Sequence, residues 1–237
     1  MQMFSLKKEH FDEIALYAEK DGPAAIGGAI NTHSIIKAYS LGLFPWNNEN
    51  EDIMWYSPDP RMVLKPQQAL FSKSLLKSIK KQEFEVQFDT DFKSVITHCS
   101  KVKRDGQYGT WITKAVKKTF IELHLLGLAH SVEVYQHGKI VGGLYGLSLG
   151  KTFFGESMFH LLPNASKTAF YHLVEFLNSN NFDLIDAQQE TPYLASFGAK
   201  PIPRMDFIEI LKESVQKTTL VGNWNNSFIE TKLIDIL

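Results

Sequence analysis

Residues 130–167 read HSVEVYQHGKIVGGLYGLSLGKTFFGESMFHLLPNASK. Val132 and Val134 alternate with polar neighbours, the period of two that sets one face of a strand on a core. His137-Gly138 and Leu149-Gly150 supply tight turns, so the stretch predicts three short strands joined by two turns. Pro163-Asn164-Ala165-Ser166 then predicts a helix start with Asn164 as the N-cap, and Ala169, Phe170, Leu173, Val174 and Leu177 follow at helical spacing. A further strand is expected from Phe182 to Asp186. The fold class is therefore α+β: an antiparallel meander, then a helix and a strand.

Working outward, residues 5–20 are weakly amphipathic and break at Asp21-Gly22-Pro23. Thr32 is expected to cap a short helix from His33 to Leu41, which Gly42 ends. Helices are also expected from Ser72 to Lys81, from Asp91 to Ser100, and from Lys114 to Leu126 with Thr113 as its cap. A strand from Glu83 to Phe88 lies between the first two. The tail from Thr218 to Leu237 is irregular in pattern and suggests no function of its own.

At 237 residues the chain can bury a substantial core, as one large domain or two modest ones. Its longest apolar runs are far too short to span a bilayer. The stretch MQMFSLKKEHFDE lacks the pattern of a secretion signal, and Cys99 alone cannot form an internal disulfide. A cytoplasmic protein without membrane partners is expected. A formal net charge of −1 argues against a protein that coats long nucleic acid. Charge is uneven, however: Lys101, Lys103, Arg104, Lys114, Lys117 and Lys118 face a single acid, Asp105, and read either as a solvated face or as a local phosphate contact.

Several chemistries find no support. His124 and His130 lack the spacing and flanking acid of a zinc protease, so no metal is expected and both histidines read as packing or surface residues. Neither a G-x-S-x-G elbow nor a P-loop occurs. Gly142, Gly143 and Gly146 interrupt a strand pattern, which marks a bulge or a close approach. Two acids stand out. Glu156 sits among large apolar residues, and Asp186 ends an apolar strand two residues before Gln188, on the same face if the strand is regular. A buried carboxyl of this kind is either functional or satisfied by backbone donors or an arginine such as Arg204.

Meander, helix and strand in this order suggest an acyltransferase-like domain, although any meander followed by a helix reads alike. A coenzyme A enzyme needs a glycine-rich, basic loop at the helix N-terminus to hold pyrophosphate. The junction here is HLLPNASK, residues 160–167, so a different acyl carrier is expected. Tryptophan lies close to proline at Phe44-Pro45-Trp46 and Trp55-Tyr56-Ser57-Pro58. Such rings either staple a small lobe to the main domain or stack on nucleobases.

Taken in order, the motifs resemble a known family. They are Phe44-Pro45-Trp46, Trp55-Tyr56-Ser57-Pro58-Asp59-Pro60-Arg61, Thr110-Trp111-Ile112-Thr113, Gly127-Leu128-Ala129-His130-Ser131-Val132-Glu133, Val141-Gly142-Gly143-Leu144-Tyr145-Gly146, Phe154-Gly155-Glu156-Ser157-Met158-Phe159, Ala165-Ser166-Lys167 and Leu184-Ile185-Asp186-Ala187-Gln188. From about Ile26 to Phe207 they closely resemble the bacterial leucyl/phenylalanyl-tRNA–protein transferases.

The resemblance implies a small N-terminal domain, residues 1–64, packed on an acetyltransferase-like (GNAT-like) domain, residues 65–237, with a mainly antiparallel central sheet. It implies transfer of leucine or phenylalanine, and methionine less well, from aminoacyl-tRNA to proteins beginning with arginine or lysine, which marks them for N-end-rule degradation. Aminoacyl-tRNA is then a substrate and no cofactor is implied. Trp46 and Trp111 would sandwich the terminal adenine, and Leu144, Phe153, Met158 and Ile185 would line the donor side-chain pocket. Asp186 and Gln188 would orient or deprotonate the acceptor amine, with Glu156 holding an amino group or the basic acceptor. The basic run Lys101 to Lys118 would touch tRNA phosphates. Tyr193 stands where the family usually has histidine, and Tyr56 where a second tryptophan is common. The competing readings are a coenzyme-A-dependent N-acetyltransferase and a non-catalytic module that binds tRNA ends.

Overall fold

The computed structural model describes residues 4–6, 14–20, 22–102 and 110–233. Its N-terminal part is a four-stranded sheet of β1 (Phe4–Leu6), β2 (Pro23–Gly27), β3 (Phe44–Pro45) and β4 (Met54–Tyr56), ordered β1-β2-β4-β3, with α1 (Thr32–Ser40) crossing between β2 and β3. The expected Thr32 cap is displaced by one residue. Asn31 Oδ1 accepts from the Ser34 N–H at 2.8 Å while Ser34 Oγ accepts from the Asn31 N–H at 3.0 Å, a reciprocal capping box that satisfies two otherwise orphaned donors.

The main sheet has seven strands: β5 (Arg61–Leu64), β6 (Glu85–Phe88), β7 (Ala129–Gln136), β8 (Lys139–Leu149), β9 (Thr152–His160), β10 (Leu184–Gln188) and β11 (Lys200–Ile202). They run in the order β11-β5-β10-β9-β8-β7-β6, and every neighbouring pair is antiparallel except β9 with β10. The meander over residues 130–160 is thus three paired strands, and the fold is α+β with a mainly antiparallel central sheet. Strand β5, within the segment assigned to the N-terminal domain, pairs inside the larger sheet.

Helices cover both faces of that sheet. They are α2 (Lys73–Lys80), α3 (Phe92–Cys99), α4 (Lys114–Leu125), α5 (Ala165–Ser179), α6 (Pro192–Ala195) and α7 (Arg204–Ser214). The period of two sorts the sheet's side chains between two cores. Tyr145, Phe154, Leu184 and Val63 pack with α1, α3, α4 and α7, whereas Leu144, Phe153, Ile185 and Met62 pack with α5. Caps at Ser72, Asp91 and Thr113 each accept the expected backbone N–H. Asn164 precedes α5 as expected but makes no side-chain cap, because its backbone is left-handed at φ 66°.

Residues 218–232 of the tail are not irregular: they form the hairpin β12 (Thr218–Asn223) and β13 (Ser227–Lys232), pinned by Trp224, and residues 234–237 lie outside the described residues. That indole stacks on His130 at 3.6 Å and on Phe176 at 4.5 Å, and its backbone N–H donates to Asp89 Oδ2 at 2.9 Å. Asp89 also bonds His130 Nδ1 and accepts from the Ser131 N–H, each at 2.8 Å. Burial alone would raise the Asp89 pKa, but His130 and these N–H donors hold it below the usual carboxylate range. His130 is a packing residue.

Glycine spacing on β8 follows from the helix above and the ring beside it. A Cβ on Gly142 would lie 2.6 Å from that of Ala165, and one on Gly146 would lie 2.3 Å from the Phe154 carbonyl and 2.4 Å from the Phe153 ring. Gly146→Ala is therefore expected to lose about 1–3 kcal/mol in urea unfolding. Gly155→Ala, whose nearest obstacle is 3.7 Å away, should unfold within about 1 kcal/mol of the parent. Equal losses in the two variants would show that the close approach does not constrain the sheet.

Candidate active site

The site is made where two parallel strands part. β9 and β10 pair at Thr152 with Leu184, Phe153 with Ile185 and Phe154 with Asp186, and no further. Just beyond, each strand carries a bulge on its other side. On β9, Tyr145 pairs with Ser157 and Gly146 with Gly155, which leaves Glu156 as the extra residue. On β10, Asp186 pairs with Val63 and Gln188 with Met62, which leaves Ala187 extra. Bulges re-aim side chains where a regular strand cannot. A cavity of about 380 Å³ opens between the diverging segments, within the range of small-molecule sites.

Leu144, Phe153, Met158 and Ile185 all line this cavity. Phe170 and Leu173 of α5 complete the apolar wall. Their helical spacing marked them only as core, because periodicity cannot distinguish a face packed on a sheet from one that walls a cavity. Trp46 and Trp111 line the cavity too, with ring centroids 6.3 Å apart and planes inclined by 36°. Trp111 is held by the start of α4, whose Lys114 N–H donates to Glu49 Oε2 at 3.0 Å across from the β3–β4 loop.

Asp186 and Gln188 do not share a face. The bulge gives Gln188 a φ of 57° and brings it to the cavity, while Asp186 stays fully buried and off its lining. Asp186 Oδ1 accepts from Arg61 Nε at 2.8 Å and from the Gln188 N–H at 3.0 Å; Oδ2 accepts from Arg61 Nη2 at 2.6 Å. The partner is thus Arg61. Arg204 is committed elsewhere, donating to the carbonyls of Ala18, Glu19 and Ser57. A pair separated by 125 residues leaves no local signal in the sequence.

Glu156 reaches the cavity from its bulge, and its Oε1 is buried without a hydrogen-bond partner among the described residues. Burial raises its pKa to about 8, and the Asp186 charge adds to the shift against the opposing pull of the Tyr39 hydroxyl and Arg61. The group is mostly a neutral acid at pH 7.

Of the basic run, Lys103 and Arg104 lie outside the described residues. Lys101, Lys114 and Lys118 are exposed, Lys118 lies 3.8 Å from Glu122, and Lys117 Nζ donates to Thr97 Oγ1 at 2.5 Å. A second basic face, passed over in the sequence, is Lys73, Lys77 and Lys80 on α2, all exposed; their helical spacing was the available signal. Among the described residues no group of His, Cys, Asp and Glu could hold a metal ion. None of the helices among the described residues is long and apolar enough to cross a membrane.

Comparison with known proteins matches residues 63–212 to a family model described as leucyl/phenylalanyl-tRNA protein transferase, and residues 28–59 to that family's N-terminal domain. A leucyl/phenylalanyl-tRNA–protein transferase of Desulfatibacillum aliphaticivorans is 46% identical over 208 residues, 88% of this chain and 89% of its own. One of Myxococcus xanthus is 46% identical over 207 residues, 87% of this chain and 88% of its own. Among solved structures, an aminoglycoside acetyltransferase from an uncultured soil sample aligns over 56% of this chain and 89% of its own, at 13% identity and a TM-score of 0.36.

The Glu156 shift has a signed consequence. The folded protein keeps this proton up to about pH 8, whereas the unfolded chain releases it near 4.5. The resulting stabilisation is full below pH 4.5 and is lost as pH rises from there to about 8, at a slope approaching 1.4 kcal/mol per pH unit. Glu156→Gln removes it. In urea unfolding the variant should gain on the parent steadily between pH 5 and 8, then run parallel; a pH-independent difference would place the carboxyl near its ordinary pKa.

Proposed function

Since the chain belongs to the leucyl/phenylalanyl-tRNA protein transferase family, we propose that it transfers leucine or phenylalanine, and methionine less well, to proteins beginning with arginine or lysine. It is an aminoacyltransferase that carries an aminoacyl group from tRNA to protein. The product would enter N-end-rule degradation in the cytoplasm.

The observation that carries the finer reading is the apolar cavity with Gln188 and Glu156 on its wall and two tryptophans beside it. The donor side chain occupies the space among Leu144, Phe153, Met158, Phe170, Leu173 and Ile185. Lacking a group that must be paired, such a wall accepts Leu, Phe and Met alike, since a methylene discriminates by only about 1–3 kcal/mol. The terminal adenine enters between Trp46 and Trp111. Carbon contacts of about 3.5 Å on each side call for a gap near 7 Å, so the 6.3 Å spacing widens slightly on binding.

The ester is already activated, so the protein's work is mainly orientation. The Gln188 side chain holds the acceptor α-amine, and Glu156 hydrogen-bonds an amino group through its open oxygen. The amine nitrogen bonds the ester carbonyl, the carbonyl–O3′ bond breaks, and the proton shed by the amine ends on O3′. Asp186 has its oxygens occupied by Arg61 and the Gln188 N–H, so it acts by fixing the bulge. The neighbouring ribose 2′-hydroxyl is then the proton's route. Lys101, Lys103, Arg104, Lys114, Lys117 and Lys118 meet acceptor-stem phosphates.

The test is transfer of labelled leucine from Leu-tRNA to a casein fragment beginning with arginine, counted as acid-insoluble, alkali-stable label. Gln188→Ala should cut kcat about 100-fold with little change in the KM for Leu-tRNA. Trp111→Ala should raise that KM about 5- to 150-fold, the range of one lost stacking face. Reversing the charge of Lys114 and Lys117 together should raise it and flatten its salt dependence. Absence of transfer with tRNA binding intact would sink the reading in favour of a binding module.

A further inference from the structure

The cavity has no charge to offer a basic acceptor. Among its lining side chains Glu156 is the sole acid and none is basic. Glu156 holds its proton to about pH 8, and Asp186 is neutralised by Arg61. A guanidinium or ammonium drawn inside would lose its water and meet only Glu156, a carboxyl that burial keeps protonated, so that pairing would first have to reverse the shift. The acceptor α-amine must still reach Gln188, so its side chain has to point to the rim.

One carboxylate belongs to the segment that forms this rim. Gln188, Gln189, Thr191, Tyr193 and Leu194 all line the cavity, and Glu190, which does not line it, lies within that run, exposed and without a hydrogen-bond or ion-pair partner among the described residues. It lies two positions after Gln188, a backbone span of at most about 7 Å and so within the reach of one arginine side chain. Of the carboxylates that follow Trp46, Glu49 accepts from the Lys114 N–H and Glu51 from Asn48, Asp52 is exposed, and none of the three lines the cavity.

The rim beside Glu190 is ordered. Thr191 Oγ1 accepts from the Leu194 N–H at 3.2 Å, fixing the first turn of α6 and with it the step from Glu190 to Tyr193. The Tyr193 hydroxyl lies 3.2 Å from Ser166 Oγ, and its ring meets Phe197 edge to face at 5.2 Å. Held at both ends, the ring is still 38% exposed. An exposed aromatic face three positions from an exposed carboxylate suits a planar cation better than a compact ammonium.

We propose that Glu190 and Tyr193 form the acceptor-side subsite, the carboxylate pairing the basic side chain of the acceptor's first residue and the ring stacking on it when that residue is arginine. Arginine is then favoured over lysine. The assignment rests on the reading that acceptors begin with a basic residue.

Peptides differing only in a first Arg or Lys, assayed at saturating Leu-tRNA, test both. Glu190→Gln should raise the KM for either peptide about five- to tenfold, with kcat and the KM for Leu-tRNA held within about twofold, and Glu190→Lys should raise it further. Tyr193→Leu should bring the Arg-over-Lys ratio of kcat/KM close to one, whereas Tyr193→Phe keeps it. An unchanged peptide KM in Glu190→Gln overturns the subsite alone, and a preserved ratio in Tyr193→Leu overturns the role of the ring. If the unaltered enzyme uses neither peptide, the reading of the acceptor and the subsite fall together.

Discussion

The structure depends on one buried ion pair. Arg61 is 1% exposed, Asp186 not at all, and they meet through two parallel hydrogen bonds. The third arm of the guanidinium donates to the Gly42 carbonyl at 3.1 Å, and the Phe44 and Phe207 rings flank it at 4.9 and 4.5 Å. A single cation thereby joins β5, β10, the turn after α1 and helix α7. Removing either member would strand a charge in the core, typically a loss of about 3–5 kcal/mol, whereas the intact pair contributes chiefly by fixing geometry. That geometry reaches the site, because the same carboxylate holds the Gln188 N–H and with it a left-handed residue that would otherwise relax.

The site itself comes from two irregularities facing each other across a gap. In a regular sheet Gln188 would fall on the face of Asp186, and Glu156 would keep strict step with β8. One inserted residue on each strand changes both. The result is an apolar chamber carrying an amide and a carboxyl that burial keeps protonated.

Much of this was legible in the sequence and some could not have been. The meander and α5 were readable because alternation and helical spacing are local. β8 read less cleanly, as Val141 to Leu149 is buried on both faces and the alternation fades. Asn31 took the cap expected of Thr32 because Ser34 could answer it, a reciprocity that depends on rotamers. The tail's hairpin is anchored by Trp224 on His130 and Asp89, contacts that no window of sequence displays. Period-two counting presumes regular strands, so it gave Asp186 and Gln188 a common face. The resemblance named the residues now found together at the cavity, but it did not name Arg61 as the group that keeps Asp186 off it.

The strand order also bears on how a ribosome delivers this protein. β5 is the first strand of the large sheet to be synthesised, yet its neighbours β10 and β11 come more than a hundred residues later. Meanwhile β6 to β9 can pair as they emerge, because each lies beside its successor in the chain. Strands β6 to β9 are thus the local part of the sheet, whereas β5 has no sheet neighbour, and Arg61 no Asp186, until the last third of the chain has been made.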